Sequence, residues 1–345
     1  MSTPNESSAA LAHDIIVIGT SAGGIEALQA LVGGLPPELK AAIFIVQHFP
    51  PHLPSHLPRL LTRAGPLPAA HARDGEAIQS GRIYVAPPDQ HLTLTRGFVR
   101  VQRGPKEHGL RPAIDPLFRS AAQAYGPRVV GVILTGMLDD GTAGLIAVKL
   151  RGGLAIVQDP NKASYASMPR SVLKYLEVDY CLSLTEMAPV LARLTQAAPA
   201  MQGGDVMAQD SDRETELINQ DIAAVERGHV ENRPSGISCP DCGGSAWQFR
   251  NGEMIHFQCR VGHRYTADSM LAQHRDTLER TLWAAVRMLE EQASLARELA
   301  NLARQSPPSG GVHRWEREVQ EAARNAERIR QMILRHHPSR APEQA

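Results

Sequence analysis

The sequence predicts an α/β protein: a doubly wound, mainly parallel sheet flanked by helices, then a small cysteine-rich module and a C-terminal helical hairpin. Three observations carry that expectation. The first is Asp14-Ile-Ile-Val-Ile-Gly-Thr-Ser21-Ala-Gly-Gly24-Ile-Glu-Ala-Leu, where four apolar residues run into a glycine-rich turn and then a helical pattern. An unbroken apolar run of that length suits a strand covered on both faces. The second is recurrence: Ile43-Phe-Ile-Val46 runs into Gln47-His48, and Val129-Val-Gly-Val-Ile-Leu134 runs into Thr-Gly-Met137-Leu-Asp139-Asp140-Gly141. The third is a change of character beyond residue 230, where paired cysteines precede two long 3–4 apolar stripes.

The first turn admits two readings. Gly19 and Gly24 fit the outer glycines of a dinucleotide-binding G-x-G-x-x-G, but Ser21 occupies the middle position, where a pyrophosphate needs to approach bare backbone. The next strand also ends in Gln47-His48 instead of an acidic residue that would hold a ribose. The alternative is a nucleophile turn, since Gly19-Thr-Ser21-Ala-Gly23 fits G-x-S-x-G. A serine on a sharp bend beside the free N–H groups of a helix start can attack a carbonyl and have the resulting oxyanion stabilised.

His48 lies at the carboxyl end of the second strand, the edge at which open parallel sheets collect their functional groups. The third strand delivers Asp139 and Asp140 to the same edge. A hydroxyl, an imidazole and a carboxylate are what nucleophilic acyl transfer requires. Their chain order, Ser, His, Asp, differs from that of the α/β-hydrolases and of the two familiar serine-protease types.

Further blocks follow: Gln47-His-Phe-Pro50, Asp74-Gly-Glu76, Ile83-Tyr-Val-Ala-Pro87, Arg111-Pro-Ala-Ile-Asp115, Gly131-Val-Ile-Leu-Thr-Gly-Met137, Asp140-Gly141 and Met168-Pro-Arg170. In this order, over about residues 13–196, the chain resembles the catalytic domain of the chemotaxis protein-glutamate methylesterases. The resemblance implies Ser21 as nucleophile, His48 as general base acting through Nε2, and Asp140 as its orienting carboxylate, with Asp139 the rival. It also implies an oxyanion donor in the backbone N–H of Met137. Position alone adds the N–H of Ala22. Leu138 departs from the family's usual glycine, and Arg111 and Arg170 are candidate walls of the site. Only about a dozen residues precede the first strand, so no attached receiver domain is expected, and such domains usually carry the regulation of this family.

Composition narrows the classes. Lys+Arg and Asp+Glu both total 36 in 345 residues, so the chain has no net charge and no nucleic-acid signature. No apolar run approaches the ~20 residues of a membrane span, and the first twelve residues lack a signal-peptide core. A cytoplasmic location follows as an expectation.

The remainder is expected to form a linker over 197–212, a helix over 213–231, a zinc-ribbon-like module over 232–266 and a helical hairpin over 267–337. Cys239-Pro-Asp-Cys242 followed by Cys259-Arg-Val-Gly-His263 offers three thiolates and an imidazole for a structural zinc ion. His256 is a weaker candidate for the fourth ligand, and Cys181 reads as a core residue. Trp247 to Phe249 and Ile255 to Phe257 read as two strands joined at Asn251-Gly252. The stripes Leu278, Leu282, Ala285, Leu289, Ala296, Leu299 and Trp315, Val319, Ala322, Ala326, Ile329, Ile333 suit a hairpin or a partner surface. Catalysis itself calls for no cofactor. The expected function is hydrolysis of glutamate γ-methyl esters on methyl-accepting chemoreceptor helices, with glutamine deamidation as a related activity and signalling partners reached through the tail. The competing class is a non-chemotaxis signalling adaptor that uses the fold and tail as a binding scaffold.

Overall fold

The computed structural model describes residues 13–50, 53–196, 235–251, 254–305 and 312–336. The expected linker over 197–212 and helix over 213–231 lie outside these residues, as do Gly252 and the break between the C-terminal helices. Contacts divide the chain into two compact units, with the boundary between Met270 and Leu271.

The first unit is organised around β1 (Ile15–Thr20), buried throughout. It is followed by α1 (Gly24–Gly33), β2 (Ala42–Gln47), α2 (Leu57–Ala64), β3 (Ala69–His71) and β4 (Ile83–Val85). An antiparallel pair, β5 (His91–Thr95) and β6 (Phe98–Gln102), leads to α3 (Ile114–Tyr125). Then come β7 (Val129–Ile133), α4 (Thr142–Leu150), β8 (Leu154–Gln158), α5 (Ser167–Tyr175), β9 (Tyr180–Leu182) and α6 (Leu184–Leu194). Seven strands form one sheet in the order β3-β4-β2-β1-β7-β8-β9, and every pairing within it is parallel.

The side-chain alternation of β1 explains the layers. Ile15 and Val17 face a core completed by Ile114, Phe118, Leu145 and Met168 of α3, α4 and α5. Ile16 and Ile18 face the opposite core, completed by Leu28, Leu61 and Leu191 of α1, α2 and α6. Two covered faces are the reason these strands read as continuous apolar runs. From β1 the chain winds outward through β2, then returns to start again at β7 on β1's other side. That reversal opens a crevice beyond the carboxyl ends of β1, β2 and β7.

Glycine fixes how closely the helices of one face approach each other. A Cβ on Gly144 of α4 would lie 2.6 Å from Phe118 Cβ and 2.9 Å from Asp115 Oδ1 of α3. Cys181 lies on the outermost strand and is exposed, so it is not the core residue that its isolation in sequence suggests.

Beyond the sheet, β10 (Ala246–Asn251), β11 (Met254–Cys259) and β12 (Arg264–Thr266) form an antiparallel sheet of three strands. The first two match the expected pair. The third follows His263 and has too short an apolar signature to be read from the sequence. It runs directly into α7 (Ala267–Gln305), whose first turn belongs to this unit.

In the second unit, the remainder of α7 packs antiparallel to α8 (Val312–His336), with Arg304 paired to Glu316 and Arg330 to Glu290. Val286, Ala326 and Ile333 form its buried seam, lined by Leu282, Leu289 and Ile329. The stripe on α7 therefore includes Val286, and Leu278, placed on it by spacing, is exposed instead. Among the described residues, no helix is long and apolar enough to cross a membrane.

The α3–α4 contact supplies a test. Gly144→Ala should destabilise the first unit by about 1–3 kcal/mol, the usual cost of overpacking a filled core. Denaturant titration of wild type and variant measures it.

Candidate active site

Ser21 and His48 immediately follow the last register pair of β1 and β2, Thr20 and Gln47. His48 N–H donates to the Thr20 carbonyl at 3.2 Å, and Ser21 N–H donates to the Thr135 carbonyl at 3.0 Å, tying the serine turn to the end of β7. Gln47 Nε2 donates to the Ser21 carbonyl at 2.8 Å, which braces the turn from the β2 side. Gly136 allows β7's loop to pass behind the serine: a Cβ there would lie 3.0 Å from Ser21 Cβ and 2.0 Å from Met168 Sδ. Three strand ends thus bring together the groups that the sequence places at separate positions.

His48 Nε2 meets Asp140 Oδ2 at 2.8 Å, and Asp140 is buried. This corrects one expectation. Because Nε2 carries the hydrogen bond to the carboxylate, Nδ1 is the ring nitrogen left to accept a proton. Asp139, the rival carboxylate, points elsewhere and accepts from the Thr266 hydroxyl.

Asp140 is held by more than the imidazole. It accepts from the backbone N–H groups of Ile114 (2.7 Å) and Asp115 (3.1 Å) at the start of α3. In exchange, Asp115 Oδ1 accepts from the N–H groups of Gly141 (3.1 Å) and Gly144 (2.6 Å) at the start of α4. Each helix's exposed donors are thus satisfied by a carboxylate belonging to the other, a favourable place for negative charge. Sequence reasoning gave Asp115 no role, since its partners lie about thirty residues away.

His108 was also missed. It is buried, adopts a left-handed backbone (φ 55°), and lies between the two carboxylates: Nε2 is 2.9 Å from Asp115 Oδ2 and 3.6 Å from Asp140 Oδ1. Its Nδ1 lies 2.9 Å from Ser269 Oγ. Burial alone would strip this imidazole of its proton, but Asp140, Asp115 and Asp139 push its pKa up to about 10. Burial likewise opposes charge on Asp140, yet the His108 imidazolium, His48 and the Ile114 N–H hold its carboxyl well below the usual range. Nearby Glu107 is buried and paired to Arg119 at 2.6 Å. With Arg119 also 4.0 Å from Asp115, cationic side chains already face the carboxylates of the Glu107, His108, Asp115 cluster.

Neither the Ala22 nor the Met137 backbone N–H donates to another group among the described residues, whereas those of Ser21 and Gly136 do. Both thus remain candidate oxyanion donors. Leu138 takes a left-handed backbone (φ 63°), a conformation that favours glycine. The two arginines sit in different surroundings. Arg111 is held by Asp89 (2.7 Å) and the Gly104 carbonyl (2.7 Å), where it buttresses the segment before α3. Arg170 is exposed on α5.

The cysteines form a second cluster in the same unit. Cys239, Cys242 and Cys259 Sγ and a ring nitrogen of His263 all lie within 4.8 Å of one another. His256 is outside this group and stacks on Phe249.

The buried imidazolium gives stability a pH dependence of definite sign. A histidine whose pKa is raised on folding stabilises fully below its ordinary value and loses that contribution as pH rises towards the folded one. Unfolding free energy should therefore fall between pH 6.5 and about 10, by up to ~1.4 kcal/mol per unit. Denaturant midpoints across that range should decline in wild type, and the decline should be absent in His108→Gln.

The comparisons with known proteins concern this sheet domain. The CheB methylesterase family model matches residues 16–191. A Leptospira interrogans protein provisionally named a protein-glutamate methylesterase/protein-glutamine glutaminase is 40% identical over 185 residues, covering 53% of this chain and 96% of its own length. The Pyrococcus abyssi protein-glutamate methylesterase/protein-glutamine glutaminase is 35% identical over 193 residues, covering 55% of this chain and 52% of its own. The chain thus spans about half the length of that relative. The crystal structure of the Thermotoga maritima CheB methylesterase catalytic domain superimposes with a TM-score of 0.51 at 36% identity, over 52% of this chain and 98% of that one. The chain belongs to the CheB methylesterase family, hydrolases of methyl esters.

Proposed function

We propose that this chain hydrolyses glutamate γ-methyl esters on helical segments of methyl-accepting chemoreceptors through an acyl-enzyme on Ser21. The observation that carries the reading is the 2.8 Å contact between His48 and Asp140 at the strand edge that also presents Ser21.

The steps follow from the hydrogen bonds. His48 Nε2–H donates to Asp140, which fixes the tautomer and leaves the Nδ1 lone pair as base. Ser21 Oγ attacks the ester carbonyl as Nδ1 takes its proton, and the resulting imidazolium is stabilised by Asp140. The tetrahedral oxyanion is received by the N–H groups of Met137 and Ala22. Nδ1–H then protonates the departing methoxide, releasing methanol. A water activated by the same nitrogen cleaves the acyl-enzyme to glutamate. A receptor glutamine would travel the same path, with ammonia leaving in place of methanol.

Exposed Met137, Leu138 and Tyr165 support a protein substrate. The Tyr165 ring lies 3.3 Å from the position of a Cβ on Gly23, so apolar surface borders the serine turn. Such a rim suits the side of a helix.

Methanol release from methylated receptor membranes tests the proposal. Ser21→Ala and His48→Ala should each remove nearly all activity, because the members of a triad act as a unit. Asp140→Asn should lower kcat by about 10²–10⁴ and Asp139→Asn by far less. An active Ser21→Ala enzyme would refute the mechanism, and an inactive wild type the substrate.

A further inference from the structure

The three-stranded sheet is too small to stand on apolar burial alone. Its buried cluster consists of Cys239, Ala246, Phe257, Cys259, Tyr265 and Met270, and two of these six are the cysteines themselves. Domains of this size ordinarily need a covalent or metal staple. A disulfide is not the staple present, since Cys242 Sγ and Cys259 Sγ are 3.7 Å apart, against about 2.05 Å for a bonded pair.

The three recorded edges instead match those of a tetrahedral zinc site. Zinc–sulfur bonds of about 2.3 Å and zinc–nitrogen bonds of about 2.0 Å set edges of about 3.8 Å between sulfurs and about 3.5 Å between sulfur and nitrogen. The observed edges are 3.7 Å for Cys242–Cys259, 3.6 Å for Cys239–His263 Nδ1 and 3.4 Å for Cys259–His263 Nδ1. Both ligand pairs sit on tight turns. Gly243 N–H donates to the Cys239 carbonyl (2.8 Å) and Gly262 N–H to the Cys259 carbonyl (2.9 Å), with φ of 72° and 101° at the two glycines. Three thiolates and one imidazole in this geometry select zinc over hard, oxygen-seeking cations.

What the staple holds is the residue run that touches the esterase site. One residue after His263, the Arg264 carbonyl accepts from the His108 N–H at 2.7 Å. A Cβ on Gly262 would lie 3.1 Å from Pro105, so the ligand turn rests against the segment leading to α3. Thr266, at the end of β12, donates its hydroxyl to Asp139. Ser269, in the first turn of α7, exchanges caps with Thr266 and meets His108 Nδ1 at 2.9 Å.

Asp139 matters because of its place in the chain. It lies between Leu138 and Asp140, in the loop that carries both the Met137 N–H and the triad carboxylate. A left-handed leucine costs roughly 1–2 kcal/mol, so this loop needs outside support to keep its shape. Thr266 supplies it at Asp139, and Ser167 Oγ at the Leu138 carbonyl (3.2 Å).

We infer that Cys239, Cys242, Cys259 and His263 bind one zinc ion, and that the zinc-held ribbon uses Thr266 as a positioning residue for the Met137–Asp140 loop. The positioning half rests on the Ser21, His48, Asp140 reading; the metal half does not.

The test uses the full chain, purified under reducing conditions, with zinc content by elemental analysis and steady-state kinetics on a glutamate γ-methyl ester peptide. Wild type should carry about one zinc per chain, as expected of a closed four-ligand site, and Cys242→Ser should lose it and lose kcat. Thr266→Val, nearly isosteric, should keep the zinc and lower kcat about ten-fold, ~1.4 kcal/mol, with KM unchanged. Thr266→Ser, which keeps the hydroxyl, should restore kcat. Wild type without zinc overturns the metal site. Unchanged kcat in Thr266→Val, or in a zinc-free Cys242→Ser that remains folded, overturns the positioning role. An active Ser21→Ala enzyme would sink the catalytic reading while leaving the zinc content to be decided by itself.

Discussion

The crossed caps between Asp115 and Asp140 are the constraint on which the rest of the site depends. Each carboxylate accepts from the first N–H groups of the helix that the other helps to begin. A helix start offers donors with no intrahelical partner, so a buried carboxylate there is satisfied without a cationic side chain. Because the exchange is mutual, α3 cannot shift against α4 without dragging Asp140 off His48. The close approach that Gly144 permits keeps the two starts within reach of both carboxylates. Packing on one face of the sheet therefore sets the geometry of the His48–Asp140 pair.

Two buried carboxylates side by side would repel, and His108 resolves that conflict. As an imidazolium it faces Asp115 and Asp140 together, and its charge helps hold the Asp140 carboxyl well below its usual range. In the proposed mechanism, Asp140 thereby retains the charge that would steady an imidazolium on His48. The arrangement has a boundary beyond the sheet domain, since His108's second nitrogen faces Ser269 and its backbone joins Arg264. The three-stranded module thus belongs to the wall of the charge network.

How legible this was in the sequence depended on range. The strands of the sheet core were readable because burial on both faces leaves unbroken apolar runs, and the strand-end positions of Ser21, His48 and Asp140 followed from them. Sulfur and imidazole spacing marked the cluster of three cysteines and His263 for the same reason: two tight turns are local. His108 and Asp115 were not legible as partners of Asp140 and Ser269, because those contacts span 25 to 161 residues and no local pattern announces a buried ion network. The protonated nitrogen of His48 was beyond reach as well, since it depends on ring orientation. The exposure of Cys181 shows the same limit: an isolated cysteine beside apolar residues looks buried until its strand proves to be an edge.

The most direct measurement of the central claim is the rate at which a fluorophosphonate labels the serine, followed by intact mass and peptide mapping. It reports nucleophile activation without any assumption about the natural substrate. The account predicts a single adduct on Ser21, with labelling slowed severely by Asp140→Asn and clearly by Asp115→Asn, whose product still folds. Labelling at another residue, or at an equal rate in all three proteins, would contradict it.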